Sequence, residues 1–346
     1  MYNLTRRKKM IIFHTADLHL DSSLQTRLSV DKAEKFNANL TQTFQTICEN
    51  AIKENAEVII IAGDLFDGKN VNANVLNRIK KVIEKYINVL FIYVYGNHDF
   101  DERKNIFKDF SENFIVLKSG ESLIKEDVTF YSYSAPLPLF NENLYNVVIG
   151  HGETVDYETY DKDKISLPLS KNKNVDYLAL GHYHDFKLAG LDQRGKYAYC
   201  GCPAGRGFDE CGQKGYVKID TVTRVVKFEP LENPLFIIEN FDITNISILD
   251  LEEQMKNKLT YPSNSFVRAV IKGKVQKEEQ TDFSYIKNYF ENKFFYFELK
   301  NETEIDYDEL INKGDFSLKS EFLKVVKAHG DELAKEIIEK GLKLLK

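Results

Sequence analysis

The segment at residues 11–19 reads Ile-Ile-Phe-His-Thr-Ala-Asp-Leu-His. Its apolar start predicts a short buried strand, and the strand pattern stops where Asp17 and His19 begin. Four later apolar runs also end at a glycine followed by a side chain that can bind a metal ion. These later segments are Gly63-Asp64-Leu65-Phe66-Asp67, Gly96-Asn97-His98-Asp99, Gly150-His151-Gly152 and Gly181-His182-Tyr183-His184. The chain has seven histidines, and five of them lie in Asp17-Leu18-His19 and these four later segments.

The first half of the chain alternates between strand-like and helix-like patterns. Residues 58–62 and 89–94 predict buried strands, whereas residues 31–54 and 71–86 have the apolar stripe of a helix. This alternation predicts an α/β domain. In open α/β sheets, ligands bind outside the carboxyl ends of the strands, so we expect the five segments to meet at one place.

The rest of the chain has a different texture. Short β-rich pieces at about 120–135 and 186–230 predict a second sheet packed on the first. Residues 156–174 are polar and Lys-rich and predict a long surface loop. Such a loop could follow a nucleic-acid backbone, although a run of charge is more often a solvated face.

Four segments describe the predicted domain organisation. Residues 1–9 form a basic leader, and residues 10–232 form the main domain. Residues 235–305 predict a small α+β accessory or capping domain after a boundary near Pro230 and Pro234. Residues 317–346 predict one C-terminal amphipathic helix.

Composition limits the class of protein. The 346 residues carry a net charge of −6, so the chain does not resemble a globally basic nucleic-acid binder, although a local basic face is not excluded. There is no apolar run long enough to span a membrane and no secretory signal pattern, so we expect a cytoplasmic protein with no membrane partner. Cys200, Cys202 and Cys211 could suggest zinc, but a fourth ligand at recognisable spacing is missing, which favours ordinary thiols.

The five segments supply the ligands that hard divalent ions prefer. Carboxylate and imidazole groups at successive strand ends can hold two ions about 3.5–4 Å apart, and a carboxylate such as Asp64 can bridge them. Asn97 adds a neutral amide oxygen. The candidate ligands are Asp17, His19, Asp64, Asn97, His151, His182 and His184.

These segments resemble the five motifs of the calcineurin-like metallophosphoesterases, and more narrowly the DNA-repair exonuclease branch that includes the SbcD and YhaO types. Residues 13–21 are similar to the YhaO-type start, although Asp21 stands where SbcD types often have glycine. Residues 201–208 followed by Gly215 resemble the late glycine-rich stretch of that branch. The resemblance covers about residues 10–230. It implies a four-layer αββα sandwich, with a smaller C-terminal α+β domain and a terminal helix.

The resemblance also implies a role for each candidate. One ion would be bound by Asp17, His19 and His184. The second ion would be bound by Asn97, His151 and His182. Asp64 would bridge the two ions, which are expected to be Mn²⁺, and His98 would be the catalytic residue over the phosphate. His14 and His329 are expected to be structural or surface residues.

For three residues near the motifs, the sequence leaves two possible roles open. Asp67 and Asp99 could orient the histidines or could cap loops. Arg206 could contact a phosphate or form a structural salt bridge.

The implied function is a two-metal DNA exonuclease and endonuclease in DNA repair, acting as the nuclease subunit of an SMC-like ATPase complex of the SbcC or YhaN type. The C-terminal helix could bind that ATPase or could pack on its own domain, and a homodimer is possible. A nucleotide or cyclic-nucleotide phosphodiesterase, or a phosphatase, would use the same centre. The protein-phosphatase alternative is weakened because Leu65 to Gly68 departs from the Gly-Asp-x-Val-Asp-Arg-Gly pattern.

Overall fold

The computed structural model describes residues 8–22, 28, 30–68, 71–99, 106–275, 282–306, 318–329, 337–338 and 340–341. Internal contacts divide the chain into two compact units, Met1–Leu235 and Phe236–Lys346. Of the predicted basic leader at residues 1–9, only Lys8 and Lys9 lie within the described residues.

The first unit consists mainly of strands. In chain order they are β1 (Ile11–Thr15), β2 (Val58–Ala62), β3 (Leu90–Val94), β4 (Phe114–Val116), β5 (Ser122–Lys125), β6 (Val128–Ser132), β7 (Tyr145–His151), β8 (Glu153–Val155), β9 (Lys164–Ser166), β10 (Tyr177–Gly181), β11 (Lys187–Gly190), β12 (Lys196–Tyr199), β13 (Gly215–Asp220) and β14 (Val225–Pro230). The helices are α1 (Val30–Lys53), α2 (Ala73–Lys85) and α3 (Leu167–Ser170).

Two six-stranded sheets form the centre of this unit. The first has the order β14-β13-β1-β2-β3-β4, and the second has the order β11-β12-β10-β7-β6-β5. Strands β1 to β4 are parallel to one another, as are β12, β10, β7 and β6. The carboxyl ends of four parallel strands therefore share an edge in each sheet.

The two sheets pack face to face because each presents a row of apolar side chains to the other. Ile12, Ile60 and Ile92 of the first sheet share one core with Val147 and Ala179 of the second. On the outer face of the first sheet, Phe44 of α1 packs against Phe91, with ring centroids 6.1 Å apart. On the outer face of the second sheet, a cluster that includes Leu178 and Ile165 is covered by loops and the short helix α3. The predicted α/β sandwich is confirmed, with a sparse outer layer on the second sheet.

Two details of the sequence interpretation are wrong. The β-rich pieces were expected to build the second sheet, but β13 and β14 extend the first sheet through the antiparallel pair of β1 and β13. Residues 156–174 are not one surface loop. They contain β9, which pairs in parallel with β8, and helix α3. Ile165 is buried because it joins the outer core of the second sheet, and Ser170 is buried with its Oγ donating to Ser166 O.

The second unit alternates strands and helices. Its elements are β15 (Phe236–Asp242), α4 (Ile248–Lys258), β16 (Phe266–Val275), α5 (Ser284–Glu291), β17 (Tyr296–Ile305) and α6 (Leu318–His329). Strands β15, β16 and β17 form a parallel sheet in that order. Helices α4 and α5 cover one face, where Leu251 and Phe290 pack against Val267, Ala269 and other buried residues.

The predicted C-terminal helix is described in part. Residues 318–329 are helical, and so are residues 337–338 and 340–341, while its remaining positions lie outside the described residues. Within the described part of the chain, none of the helices is long and apolar enough to cross a membrane.

Candidate metal centre

The five segments meet at the carboxyl ends of five strands, three from the first sheet and two from the second. Asp17 follows β1 and donates its backbone N–H to Gly63 O after β2, over 3.1 Å. Across the sheets, the backbone N–H of His182 donates to both carboxylate oxygens of Asp17, each at 3.0 Å. The ring of His151 contacts Ala62 O at 2.9 Å. The strand ends are therefore tied together by hydrogen bonds as well as by packing.

Four of the predicted ligands have a left-handed backbone. The φ angles are 51° at Asp17, 42° at His19, 51° at Asp64 and 107° at His182. A positive φ is uncommon for residues with a side chain, and such conformations concentrate at functional sites because the surrounding structure must hold them in place.

Two glycines allow the strand ends to approach this closely. A Cβ at Gly63, where φ is +87°, would overlap the ring of His151. A Cβ at Gly181 would overlap Ala62 O and would lie 2.8 Å from His151 Nδ1. Glycine is therefore required at these two positions for steric reasons, which the sequence alone does not reveal.

The first group of ligand atoms comes from Asp17, His19 and His184, which lie within 4.8 Å of one another. His184 Nε2 is 3.8 Å from Asp17 Oδ1. Its other ring nitrogen, Nδ1, lies 2.7 Å from Glu210 Oε1. A carboxylate on Nδ1 fixes the tautomer of a histidine and leaves Nε2 for a metal ion. This is the set that the sequence interpretation assigned to one ion.

His19 is unusual within this group. Its side chain is buried, and neither ring nitrogen has a hydrogen-bond partner. A buried polar atom without a partner costs free energy, so such an atom calls for a specific explanation. A metal ion at Nε2 or Nδ1 is one such explanation, and the chemistry of the surrounding donors fits it.

The second group surrounds Asp64. Asp17, Asp64 and His151 also have ligand atoms within 4.8 Å of one another. His151 Nε2 lies 3.3 Å from Asp64 Oδ2 and 2.8 Å from Asn97 Oδ1. Asn97 Oδ1 is 3.3 Å from His182 Nδ1. Asp64 also lies 3.7 Å from His19 Nε2, so it stands between the two groups, as a bridging carboxylate would.

His98 lies beside the ligands and differs from them in exposure. Its backbone N–H donates to Asp64 Oδ1 at 2.9 Å, while its side chain is 52% exposed. Its Nδ1 is 3.3 Å from Asp67 Oδ1, which is also 3.4 Å from His19 Nδ1. Asp67 therefore lies within ion-pair distance of both histidines without a hydrogen bond to His19, and of its two interpretations the geometry favours the orienting one for His98.

Asp99 acts on the loops and not on the histidines. Its carboxylate accepts the backbone N–H groups of Asp64 (2.7 Å), Leu65 (3.1 Å), Phe66 (3.4 Å) and Gly96 (2.6 Å). The geometry favours the loop-capping interpretation for this residue. Asp21 has a related role, since its Oδ1 accepts the N–H of Asp67 at 2.6 Å.

Glu210 is the site residue that the sequence interpretation missed. It is buried and accepts from Arg206 Nη2 at 2.7 Å as well as from His184. Arg206, a phosphate-contact candidate, is thus held in an ion pair, with its Nη1 3.7 Å from Asp67 Oδ2. The glycine-rich stretch at residues 201–208 ends two residues before Glu210. Only this position beside the stretch could have indicated Glu210 as a site residue.

Glu210 and His184 also form a third compact group of possible ligands with Cys202. The thiol of Cys202 is buried, and burial raises its pKa well above the usual value. The same thiol lies 3.8 Å from Glu210 Oε2. Cys200 is also buried and points its thiol at Gly201 O.

The charges of the centre favour a cation. Burial raises the pKa of Asp17 to about 6 and lowers the pKa of His19 to about 3. Burial also lowers the pKa of His151, but contacts with Asp64 and Asp17 outweigh it and raise that pKa to about 9. The two carboxylates therefore stabilise positive charge at this point, as a centre for divalent ions requires.

Comparisons with known proteins agree with this geometry. The model of the calcineurin-like phosphoesterase family matches residues 10–186. YhaO of Bacillus subtilis strain 168, named as a metallophosphoesterase, is 22% identical over 248 residues, which are 64% of this chain and 59% of that protein. The DNA double-strand break repair protein Mre11 of Methanosarcina acetivorans is 25% identical over 203 residues, 52% of this chain and 31% of that protein.

These two relatives are longer than the region matched, since the chain spans 59% and 31% of their lengths. Among solved structures, TT1561 of Thermus thermophilus aligns with a TM-score of 0.44 and 10% identity, covering 64% of this chain and 99% of that chain.

Proposed function

The chain belongs to the calcineurin-like phosphoesterase family, and we propose that it is a nuclease that hydrolyses the phosphodiester bonds of DNA with two divalent cations. The family predicted from the five segments is confirmed by the family match over residues 10–186. One observation carries the proposal: two compact groups of buried and partly buried ligands share Asp17, and the half-exposed His98 lies beside them.

The residues fit a pair of divalent ions. Imidazole and carboxylate donors suit Mn²⁺, which we propose as the ion. The unpartnered ring nitrogens of His19 and the fixed tautomer of His184 are the features that a bound ion would use. We propose that the first ion is held by Asp17, His19 and His184. The second ion would be held by Asn97, His151 and His182, with Asp64 between both.

When bound, the two ions lower the pKa of water and neutralise charge on a phosphate. The protein supplies the rest. His98 Nδ1 faces Asp67, so its other ring nitrogen is left for the substrate and can donate a proton to the leaving oxygen. The strand ends, joined by hydrogen bonds, hold the ligands and His98 in place during the reaction. Polar groups held in advance in this way are the main source of electrostatic catalysis.

An exposed aromatic ring supports a nucleic-acid substrate. Tyr183 lies between the predicted ligands His182 and His184 and is 44% exposed. Its ring is braced edge-on against Tyr199, with centroids 4.8 Å apart, and its hydroxyl donates to Glu153 Oε1 at 3.4 Å. A braced exposed ring offers a stacking surface for an unpaired base. The likeness to a DNA double-strand break repair protein supports the same substrate class.

The test is a digest of end-labelled single-stranded and double-stranded DNA with Mn²⁺, beside the Asp64→Ala variant. The exposed Asp209→Ala variant is the matched carboxylate control. We expect cleavage by the wild type and by Asp209→Ala, and loss of cleavage in Asp64→Ala. DNA cleavage that persists in Asp64→Ala would contradict the assignment of the centre.

A nucleotide or cyclic-nucleotide phosphodiesterase is the second candidate, and the net charge of −6 favours it because a long polyanion is repelled by an acidic protein. Parallel assays with a cyclic dinucleotide and a p-nitrophenyl phosphodiester separate the two. Hydrolysis of the small substrates with intact DNA would replace the nuclease proposal by this one.

We further propose that an SMC-like ATPase binds helix α6. Leu318 of α6 is 72% exposed, which offers apolar surface to a partner helix. Co-purification with such an ATPase should be lost when the chain is truncated at Leu318. Unchanged co-purification would remove the proposal for this helix.

A further inference from the structure

One buried carboxylate connects the first ligand group to the rest of the centre. Glu210 is 5% exposed, and its Oε1 lies 2.7 Å from His184 Nδ1 and 2.7 Å from Arg206 Nη2. Its Oε2 accepts the backbone N–H of Arg206 at 2.7 Å. A buried carboxylate must have its charge and hydrogen bonds satisfied, and here these partners belong to the candidate site or its neighbour.

The same stretch of chain also holds the backbone of His184. The buried Lys214 donates its Nζ to His184 O at 3.0 Å, and the N–H of Cys202 donates to the same oxygen at 3.2 Å. The ring and the backbone of His184 are thus both fixed by residues 202–214. A histidine fixed in this way can present only Nε2 to Asp17.

Arg206 links Glu210 to Asp67. Its guanidinium is 14% exposed and lies between the carboxylates of Glu210 and Asp67, at 2.7 Å and 3.7 Å. Its Nη1 is also 3.4 Å from Ser22 Oγ. Asp67 in turn lies 3.3 Å from the Nδ1 of His98. A continuous series of contacts therefore runs from His184 to His98.

We infer that Glu210 and Arg206 are positioning residues that align the ligand His184 and the catalytic His98 with each other. Glu210 holds the Nδ1–H of His184, so that Nε2 is left for the first ion. Arg206 holds Asp67 against His98 and does not itself bind the phosphate. This inference rests on the proposed metal-dependent function.

A purely structural ion pair between Glu210 and Arg206 would give a different result from a positioning role. Loss of a structural pair lowers stability and weakens both ion sites alike. Loss of the carboxylate behind a metal-binding histidine lowers the affinity of that one site, by about 10–100-fold. The difference between the two sites is therefore the informative quantity.

The first experiment measures Mn²⁺ binding to the full chain by calorimetry and by electron paramagnetic resonance. Glu210→Gln is compared with Asp209→Asn, the adjacent exposed carboxylate. We expect two sites in the wild type and in Asp209→Asn, and one site weakened about 10–100-fold in Glu210→Gln. If Glu210→Gln does not fold, Glu210→Asp keeps the charge but moves it away from Nδ1, and the same weakening is expected.

Two results would overturn the inference. The first is two unchanged sites in the Glu210 variant, and the second is equal weakening of both sites. A wild-type chain that binds no Mn²⁺ would instead contradict the proposed function, so the two failures are distinguishable.

The second experiment separates positioning from phosphate binding at Arg206. Arg206→Lys keeps the charge but cannot form the same pair of directed contacts with two carboxylates. We expect kcat to fall while KM stays unchanged, and we expect Arg206→Lys combined with Asp67→Asn to lose no more than either change alone. A rise in KM with unchanged kcat would show that Arg206 binds substrate and would overturn its positioning role.

Discussion

Replacing Asp99 by alanine should remove the hydrogen bonds that hold the loops carrying Asp64 and Asn97. The Asp99 carboxylate accepts four backbone N–H groups from these two loops. Alanine offers no acceptor, and the N–H groups of Asp64, Leu65 and Phe66 are buried. They would therefore lose their partners without gaining water.

The size of the effect follows from these bonds. The bonds from Asp64 and Gly96, at 2.7 and 2.6 Å, are short and reach a charged oxygen, and such bonds contribute about 1.5–3 kcal/mol each. The longer bonds at 3.1 and 3.4 Å add less. Burial opposes the gain, since it raises the pKa of Asp99 to about 6. We expect a loss of about 3 kcal/mol, which is a large part of the roughly 5–15 kcal/mol that stabilises a domain.

Urea unfolding followed by circular dichroism measures the loss, and amide hydrogen exchange over residues 58–68 locates it. The exposed Asp209→Ala variant serves as the control. We expect faster exchange in this segment of Asp99→Ala and weaker Mn²⁺ binding, because Asp64 is no longer held. A free energy of unfolding within about 0.5 kcal/mol of the wild type, together with unchanged exchange, would show that the Asp99 carboxylate does not hold these loops.

Four further predictions follow from the site. His98→Ala should lower kcat on DNA by about 10²–10⁴-fold while calorimetry still finds bound Mn²⁺, and a near wild-type rate would remove His98 from catalysis. Tyr183→Ala should raise KM about tenfold for single-stranded DNA relative to an abasic oligonucleotide, and an unchanged ratio of the two KM values would exclude base stacking. Saturation with Mn²⁺ at about 100 times its Kd should stabilise the fold by about 2.7 kcal/mol for each ion bound, seen as a rise in Tm, whereas no shift in Tm would argue against ion binding at the centre. Gly181→Ala should destabilise the fold by about 1–3 kcal/mol, because the added Cβ would overlap Ala62 O. Gly190→Ala is the control, because a Cβ there meets nothing within 4 Å. Equal melting temperatures for the two variants would contradict the steric argument.

The sequence predicts the strands of this fold well because their residues leave few alternatives. The run Val58–Ala62 is β-branched and bounded by a turn, and the structure forms a strand over those same residues. The partner of a strand is a different matter. β13 pairs with β1 although about 200 residues separate them, and no local pattern records that choice. The structure of residues 164–170 escapes prediction for the same reason, since Ile165 is buried in a cluster with residues distant in sequence, such as Tyr131 and Leu178.

The candidate site shows the same division. The sequence predicts that the side chains of the five segments lie close together because each segment follows a recognisable strand. The structure brings them together. Glu210 could not be found in this way. It lies on a turn beside the exposed Asp209, and nothing in the residue types tells the buried acid from the exposed one. Its role depends on which side chain the fold places next to it, which is His184.

The backbone of the centre adopts conformations that the surrounding scaffold must hold in place. Asp17, His19, Asp64 and His182 all have positive φ angles, and each such residue costs about 1 kcal/mol or more. The unpartnered nitrogens of His19 add a further cost. These costs are borne by two six-stranded sheets whose shared core lies directly behind the strand ends. Hydrogen bonds between the strand ends, such as those from Asp17 to Gly63 and from His182 to Asp17, also hold these conformations, and conformations of this kind concentrate at functional sites.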